Sequence, residues 1–163
     1  MPVRKVLDGY YRLLQILMTV LMGLLIVPVS LQIFSRYTGL IPRYIWTEEV
    51  ARFCFMWIVM LGAMIAVRDG SHFVVDVLPS FRSPRVEAGM RTLANLAIAL
   101  VALIFVGYGY GFAKLGAMQT SELSGLPMLS IYIAWPLAGL TWLLFLSEKL
   151  VEDWKILRRE SEL

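Results

Sequence analysis

Two adjacent glutamates and an arginine precede a long apolar run, where their charges could carry protons, bind a cation or hold a partner protein. Arg52 follows Glu48 by four residues and Glu49 by three, so on a helix both carboxylates can reach one guanidinium. Ionisable groups at the edge of lipid are costly and usually face protein or water. Three roles stay open: a helix cap with a local salt bridge, a polar contact with a second subunit or docking protein, and a proton or ion pathway.

The sequence offers few other groups for catalysis or cofactor binding. It has one histidine, His72, and one cysteine, Cys54, so one copy cannot supply a bis-histidine haem site or a Cys-based metal site. We interpret His72 as an interfacial residue paired with Asp76, four residues on. The chain therefore lacks the residues that a membrane-embedded enzyme or redox subunit would need. We predict no catalytic site, metal or cofactor in this chain.

The elements that position these groups are apolar runs of membrane-spanning length. The chain has 163 residues, 59% of them hydrophobic and 17% charged, a balance typical of membrane proteins. Backbone groups in lipid must pair within the segment, which favours helices. We therefore predict an all-α integral membrane protein, a single membrane domain over 1–163. The uncharged runs are 13–35, 53–67, 92–113 and 123–147.

The second run is short, and this explains the charges before it. A spanning helix needs about 20 apolar residues, whereas 53–67 supplies fifteen. We expect the second helix to draw Glu48, Glu49 and Arg52 to the membrane boundary, with Trp46 as an interfacial anchor. Thr47 is its expected N-cap.

Helix boundaries follow from charges and from turn-forming residues. The segment at about 71–82 has apolar residues at helical spacing and is predicted to be a short cytoplasmic amphipathic helix in the membrane interface, between helices 2 and 3. The four transmembrane helices are predicted at about 10–37, 47–67, 84–116 and 127–149.

The distribution of basic residues predicts the orientation. Eleven of the fifteen Lys and Arg residues lie in the N-terminus, the middle loop and the tail. The positive-inside rule therefore places both termini in the cytoplasm. The sequence lacks a basic patch with interleaved aromatics, so nucleic acid is not an expected partner, whereas the lipid bilayer is.

Pairs of small residues four positions apart predict close helix packing. Gly107 and Gly111 form one such pair, and Gly62 and Ala66 form another. We expect both pairs to lie at helix contacts.

Four stretches, in order, resemble one known family. They are QIFSRY (32–37), WTEEVARF (46–53), LGAMIAVRDGSHFVVDVLP (61–79) and SGLPMLSIYIAWPLAG (124–139). Their order, the four spans and the chain length are similar to those of the DctQ family, the small membrane subunits of tripartite ATP-independent periplasmic (TRAP) transporters. The resemblance covers nearly the whole chain, and Thr47 departs from it where small residues such as Ala are common.

The resemblance implies that the chain is a multi-pass subunit of an importer in the bacterial inner membrane. In that family a soluble periplasmic binding protein captures a substrate, typically an organic acid, and a large membrane subunit moves it by symport, usually with sodium. The small subunit pairs with the large one, steadies its scaffold and contributes to docking of the binding protein. By this likeness, His72 and Asp76 lie on the cytoplasmic interfacial helix, and the tentative subunit or docking interface contains Arg36, Tyr37, Arg43, Trp46, Glu48, Glu49 and Arg52.

The alternative is a self-sufficient homodimeric transporter coupled to protons through Glu48 or Glu49. Small drug–proton exchangers use a membrane carboxylate in four helices, but there it lies well inside the first span. In this chain the two carboxylates lie at the start of the second span. The predicted helices also contain few polar groups with which to bind a charged solute, so we expect a partner to complete the function.

Overall fold

Within residues 2–38, 42, 44–70, 84–121 and 125–160, which the computed structural model describes, the chain folds into five helices. Four apolar helical stretches are long enough to cross a membrane, the last of them running from Leu129 to Leu150. The predicted all-helical membrane architecture is confirmed at this level. The helices are α1 (Pro2–Thr38), α2 (Ile45–Asp69), α3 (Pro84–Met118), the single turn α4 (Leu129–Tyr132) and α5 (Ala134–Glu160).

The observed helices extend beyond the boundaries predicted from hydropathy. α1 begins at Pro2 instead of residue 10, and α5 continues to Glu160 instead of 149. Polar residues can extend a helix beyond the lipid because a helix satisfies its own backbone bonds wherever it runs. The predicted interfacial helix at 71–82, with His72 and Asp76, lies outside the described residues.

The backbone at both ends of α2 sets its length. Tyr44 is extended, with φ −84° and ψ 112°, and Gly70 is left-handed, with φ 70°. The Gly70 N–H donates to the carbonyl oxygen of Ala66 at 3.0 Å, a helix ending that glycine favours because it lacks Cβ. At 1.5 Å per residue, the 25 residues of α2 span about 37 Å, so the helix crosses a bilayer by including its charged first turns.

The long helices pack in the order α1, α2, α5, α3. α1 packs against α2, α2 against α5, and α5 against α3. Two ends can be distinguished. At the terminal end α1 begins and α2 finishes, beside Glu148 of α5. At the loop end α1 finishes, α2 begins, α3 finishes at Met118 and α4 begins at Leu129.

The close contact between α3 and α5 depends on glycines other than those predicted. A Cβ on Gly139 would lie 2.7 Å from the carbonyl oxygen of Ala102, and a Cβ on Gly109 would lie 2.8 Å from the nitrogen of Pro136. By contrast, a Cβ on Gly107 or Gly111 would meet nothing within 4 Å. The prediction of close packing for that pair is wrong within the chain, because two positions along a helix rotate the contact face by about 200°.

The second small-residue pair lies nearer to a contact between helices. A Cβ on Gly62 would lie 3.8 Å from Sδ of Met18 on α1, an ordinary van der Waals distance. Ala66 is half-buried. The α1–α2 contact therefore passes near this pair without the tight approach that α3 and α5 show.

The predicted fourth span is divided into α4 and α5 at Ile133. Pro136 lies in the first turn of α5, where its missing N–H costs nothing. A continuous helix would press the Pro136 ring against the carbonyl of Tyr132, so the sequence favours a break at this point. Ile133 keeps right-handed helical angles and its N–H donates to the Leu129 carbonyl oxygen at 2.9 Å, so the interruption lies within one span, Leu129–Leu150.

The core lies where α1, α2 and α5 meet, and the outer helices leave wide apolar surfaces uncovered. Met64, Phe145 and Leu146 are almost completely buried. In contrast, only 6% of the apolar stretch of α1 and 11% of that of α3 is buried, against 39% for Leu129–Leu150. α1 and α3 therefore present their side chains to lipid or to another protein.

Candidate functional site

One of the two predicted ion pairs is present at the loop end. Arg52 Nη2 lies 3.2 Å from Glu48 Oε1, one helical turn away. The two side chains are 59% and 66% exposed, respectively. An ion pair this exposed contributes little to stability, but it neutralises the Arg52 guanidinium locally.

The second predicted ion pair, between Glu49 and Arg52, is not formed, so the prediction that both glutamates share Arg52 holds only for Glu48. Glu49 Oε2 is buried and has no hydrogen-bond partner among the described residues. Successive residues of a helix are rotated by about 100°, which explains why neighbouring glutamates face different surroundings. Glu49 lines a cavity of about 480 Å³ between the start of α2 and the described residues of 119–121 and 126–131. We call it the Glu49 cavity.

Thr47 joins α1 to α2 instead of capping α2. The helix begins at Ile45 with Tyr44 as its N-cap, so Thr47 lies within the first turn. Its hydroxyl donates to the Tyr44 carbonyl oxygen at 2.6 Å and accepts from Gln32 Nε2 of α1 at 3.3 Å. The side chain is buried, with 3% exposed. The predicted N-cap is therefore corrected to a buried inter-helix contact.

The remaining loop-end residues surround a second cavity or project outward. Arg36 and Glu48 line a cavity of about 440 Å³ between α1 and α2, together with Gln32. Tyr37 is 84% exposed, and Trp46 is about half exposed with its ring 6.2 Å from that of Tyr44. Arg43 lies outside the described residues. Six of the seven tentative interface residues are thus described, and the structure places them at the loop end.

A charge network at the terminal end was missed by the sequence reasoning. Arg68 of α2 pairs with Asp8 of α1, and its Nη1 lies 3.8 Å from Glu148 Oε2 of α5. Only 16% of the Arg68 side chain is exposed. On the outer side, Arg4 Nε approaches Glu148 Oε1 at 3.9 Å. One buried guanidinium thereby connects three helices.

Aromatic rings and a lysine complete this network. The Arg68 guanidinium lies 5.3 Å from the ring centre of Tyr11 and 5.1 Å from that of Phe145, distances that favour cation–π attraction. The Tyr11 hydroxyl donates to Asp69 at 2.6 Å. Lys149 Nζ donates to the Val67 carbonyl oxygen at 2.7 Å, a favourable place for a cation because the carboxyl end of a helix carries partial negative charge.

The sequence did contain a signal for this network. Asp8, Arg68 and Glu148 all flank apolar runs at the end that carries the chain termini, so the topology brings them to the same level. Arg68 is one of the basic residues that indicate the orientation, and the acidic residues at the same level are the further signal.

Between the two ends, the described helices hold few polar contacts. The Tyr10 hydroxyl and Thr141 Oγ1 lie 2.9 Å apart and join α1 to α5. Asn95 is buried on α3. In the described part of the chain, three or more His, Cys, Asp or Glu residues nowhere come together as a metal site. These residues form helix contacts, and they do not enclose a polar chamber.

The sequence of residues 24–156 matches the family model of the DctQ component of the tripartite ATP-independent periplasmic transporters. The chain belongs to the DctQ family. It is therefore a small permease component of a TRAP transporter and a membrane protein with several spans.

Individual relatives agree with this assignment. A Haemophilus influenzae protein provisionally named TRAP transporter small permease protein is 24% identical over 162 residues, covering 95% of this DctQ chain and 92% of the relative. The sialic acid TRAP transporter small permease protein SiaQ of Vibrio cholerae is 31% identical over 102 residues, covering 58% and 55% of the two chains.

A third relative is much longer than this DctQ chain. The sialic acid TRAP transporter permease protein SiaT of Haemophilus influenzae is 27% identical over 109 residues, which are 67% of the DctQ chain but 18% of SiaT. Most of SiaT therefore has no counterpart in this chain.

Proposed function

We propose that this DctQ chain packs beside a large membrane subunit, steadies it in the bilayer and does not itself carry the solute. The observation that carries the proposal is the contrast between its interior and its outer helices. Its buried side chains are mostly apolar or connect one helix to another, whereas α1 and α3 leave most of their apolar surface uncovered. Such surfaces suit lipid or a neighbouring subunit.

The proposed location is the bacterial inner membrane, with the terminal end in the cytoplasm and the loop end in the periplasm. The excess of Lys and Arg at the terminal end supports this orientation. The exposed aromatic residues Tyr37 and Trp46 at the loop end are suited to the opposite interface.

The proposed cargo is an organic acid, imported by symport with sodium bound in the large subunit. Two kinds of relatives support the class of cargo. SiaQ and SiaT are named for sialic acid, and the isethionate TRAP transporter permease protein DctMQ of Oleidesulfovibrio alaskensis is 34% identical over 55 residues. Sialic acid and isethionate are both organic anions.

The proposed docking surface for the soluble binding protein is the loop end. Arg36, Glu48 and Arg52 supply exposed charges there, and such charges steer the encounter of proteins more than they add affinity. Membership in the DctQ family favours this subunit role over the self-sufficient homodimer with Glu48 or Glu49 as proton carrier.

The test is reconstitution with components removed one at a time. Liposomes that contain the DctQ chain, the large subunit and the binding protein should accumulate a labelled organic acid when a sodium gradient is applied. Liposomes that contain the DctQ chain alone, or that lack it, should show no uptake above background. Uptake by the chain alone would contradict the proposal, as would full uptake in its absence.

A further inference from the structure

The Glu49 cavity contains a carboxylate that the rest of the described chain does not neutralise. Arg52 forms its ion pair with Glu48, at 3.2 Å. Glu49 Oε2 is buried without a hydrogen-bond partner among the described residues. Glu49 as a whole is only half-buried. The Glu49 side chain therefore lines the cavity without being fully enclosed.

The walls of the cavity are held in place by the backbone. Ser121 N–H donates to the Leu126 carbonyl oxygen at 2.8 Å, and Met128 N–H donates to that of Gln119 at 3.0 Å. Trp57 of α2 fastens the same segment by donating from Nε1 to the Ser130 carbonyl oxygen at 3.0 Å. The cavity is thus a formed feature of the loop end.

A half-enclosed charge without a partner is unfavourable, so a positive group entering the cavity would be stabilised. A bare metal ion fits poorly, because Glu49 is the single carboxylate among the described lining residues and Arg52 lines the same space. A volume of about 480 Å³ accommodates a long side chain. The occupant that fits is the ammonium or guanidinium of a lysine or arginine.

The position of the cavity indicates a soluble partner. It opens between the first turns of α2 and residues 119–121 and 126–131, at the loop end, whereas the uncovered surfaces of α1 and α3 are apolar and run along the helices. A membrane subunit would cover the apolar sides, and a soluble protein would approach the polar end.

We propose that the Glu49 cavity receives a basic side chain of the soluble substrate-binding protein. This inference rests on the proposed docking role of the loop end and assigns one residue to it. Glu48 is assigned no part in this contact, because its exposed carboxylate pairs with Arg52.

The experiment measures binding of the purified binding protein of the same transporter to the complex of small and large subunits in lipid nanodiscs. Glu49→Gln removes the charge and keeps the shape, and Glu48→Gln makes the same change one residue away. We expect Glu49→Gln to raise the dissociation constant about tenfold and to weaken its salt dependence, because a desolvated charge pair is lost. Glu48→Gln should change it by about twofold or less, as expected for an exposed pair.

A charge exchange identifies the occupant. Glu49→Lys should abolish binding, and one Lys→Glu or Arg→Glu variant of the binding protein should restore it. Equal affinity of Glu49→Gln and wild type would overturn the inference, and so would equal losses for the two glutamine variants.

Two further readouts separate other roles of Glu49. If Glu49→Gln reduces co-purification of the large subunit, the occupant belongs to that subunit and the inference is wrong. If the variant keeps its affinity but loses uptake, Glu49 serves an ion pathway and the inference is also wrong. If the wild-type complex fails to bind the binding protein at all, the docking role itself is wrong, and this inference falls with it.

Discussion

Arg68 of α2 forms an ion pair with Asp8 of α1, although the two residues are 60 positions apart in the chain. The pair is positioned by antiparallel packing of α1 and α2, and Glu148 of α5 lies on the other side of the guanidinium at 3.8 Å. Since 16% of the Arg68 side chain is exposed, the charge depends on these carboxylates for its stability.

Arg68→Gln should lower the free energy of unfolding by about 2–3 kcal/mol, because it leaves two carboxylates at the helix contact without their cation. The control is Arg4→Gln, which removes another cation near Glu148 but one whose side chain is 70% exposed. That change should cost about 0.5 kcal/mol or less. Denaturant unfolding of the purified full-length chain in detergent measures both. Equal effects of the two variants would show that Arg68 does not connect the helices.

Gly139→Ala should destabilise the chain by about 1–3 kcal/mol, because the added methyl group would lie 2.7 Å from the Ala102 carbonyl oxygen and force α3 and α5 apart. The matched variant Gly107→Ala adds a methyl group on the same pair of helices where nothing lies within 4 Å. It should be neutral or stabilising by up to about 1 kcal/mol, since alanine favours a helix more than glycine does. Thermal unfolding followed by circular dichroism compares them. A stable Gly139→Ala variant would refute the close contact.

Thr47→Val should cost about 1–2 kcal/mol, because the hydroxyl bonds both the Tyr44 carbonyl oxygen and Gln32 and is buried. Thr19→Val makes the same replacement at an exposed position, where the hydroxyl bonds only the carbonyl oxygen of Gln15 one turn back. This control should change stability by about 0.5 kcal/mol or less. The readout is the detergent unfolding assay described above. If both variants unfold alike, Thr47 does not hold α1 against α2.

Glu48→Ala and Arg52→Ala should each leave the stability of the isolated chain within about 0.5 kcal/mol of wild type, because their ion pair is exposed. A double-mutant cycle should give a coupling free energy of about 0.3–0.5 kcal/mol, the value of an i,i+4 pair on a helix. From the sequence we expect Arg52→Ala to weaken assembly with a partner more than Glu48→Ala does, because two carboxylates would be left uncompensated; the yield of the complex tests that expectation. A coupling above about 1 kcal/mol would contradict the exposed position of the Glu48–Arg52 pair.

Segregation of apolar residues was enough to predict the four spans, because lipid imposes length and helicity on any segment that crosses it. Boundaries were predicted less well. The first turns of α1 are polar, so hydropathy gives no indication that the helix already begins there. Pro136 interrupts the last span inside an apolar run, where hydropathy does not indicate a helix boundary.

Side-chain partners were harder to predict because they depend on which helix faces which. Spacing alone allowed Arg52 to pair with Glu48 or Glu49, and only the three-dimensional structure shows that its partner is Glu48. Similarly, the Gly107–Gly111 pair fits a packing motif, but α5 lies against Gly109 on the opposite side of α3. The Arg68 network could be predicted from the sequence, because the predicted topology shows which charged residues lie at the same end of the helices.

The order of the helices has a consequence for biogenesis. α2 and α3 each pack against α5, which is made after both of them. During synthesis, the surface of α2 that later contacts α5 therefore faces lipid. At that stage α3 also lacks α5, the helix against which it packs. Insertion of α5 between two helices already in the bilayer completes the bundle, so truncation before α5 should leave α1 packed against α2 and α3 separate from them.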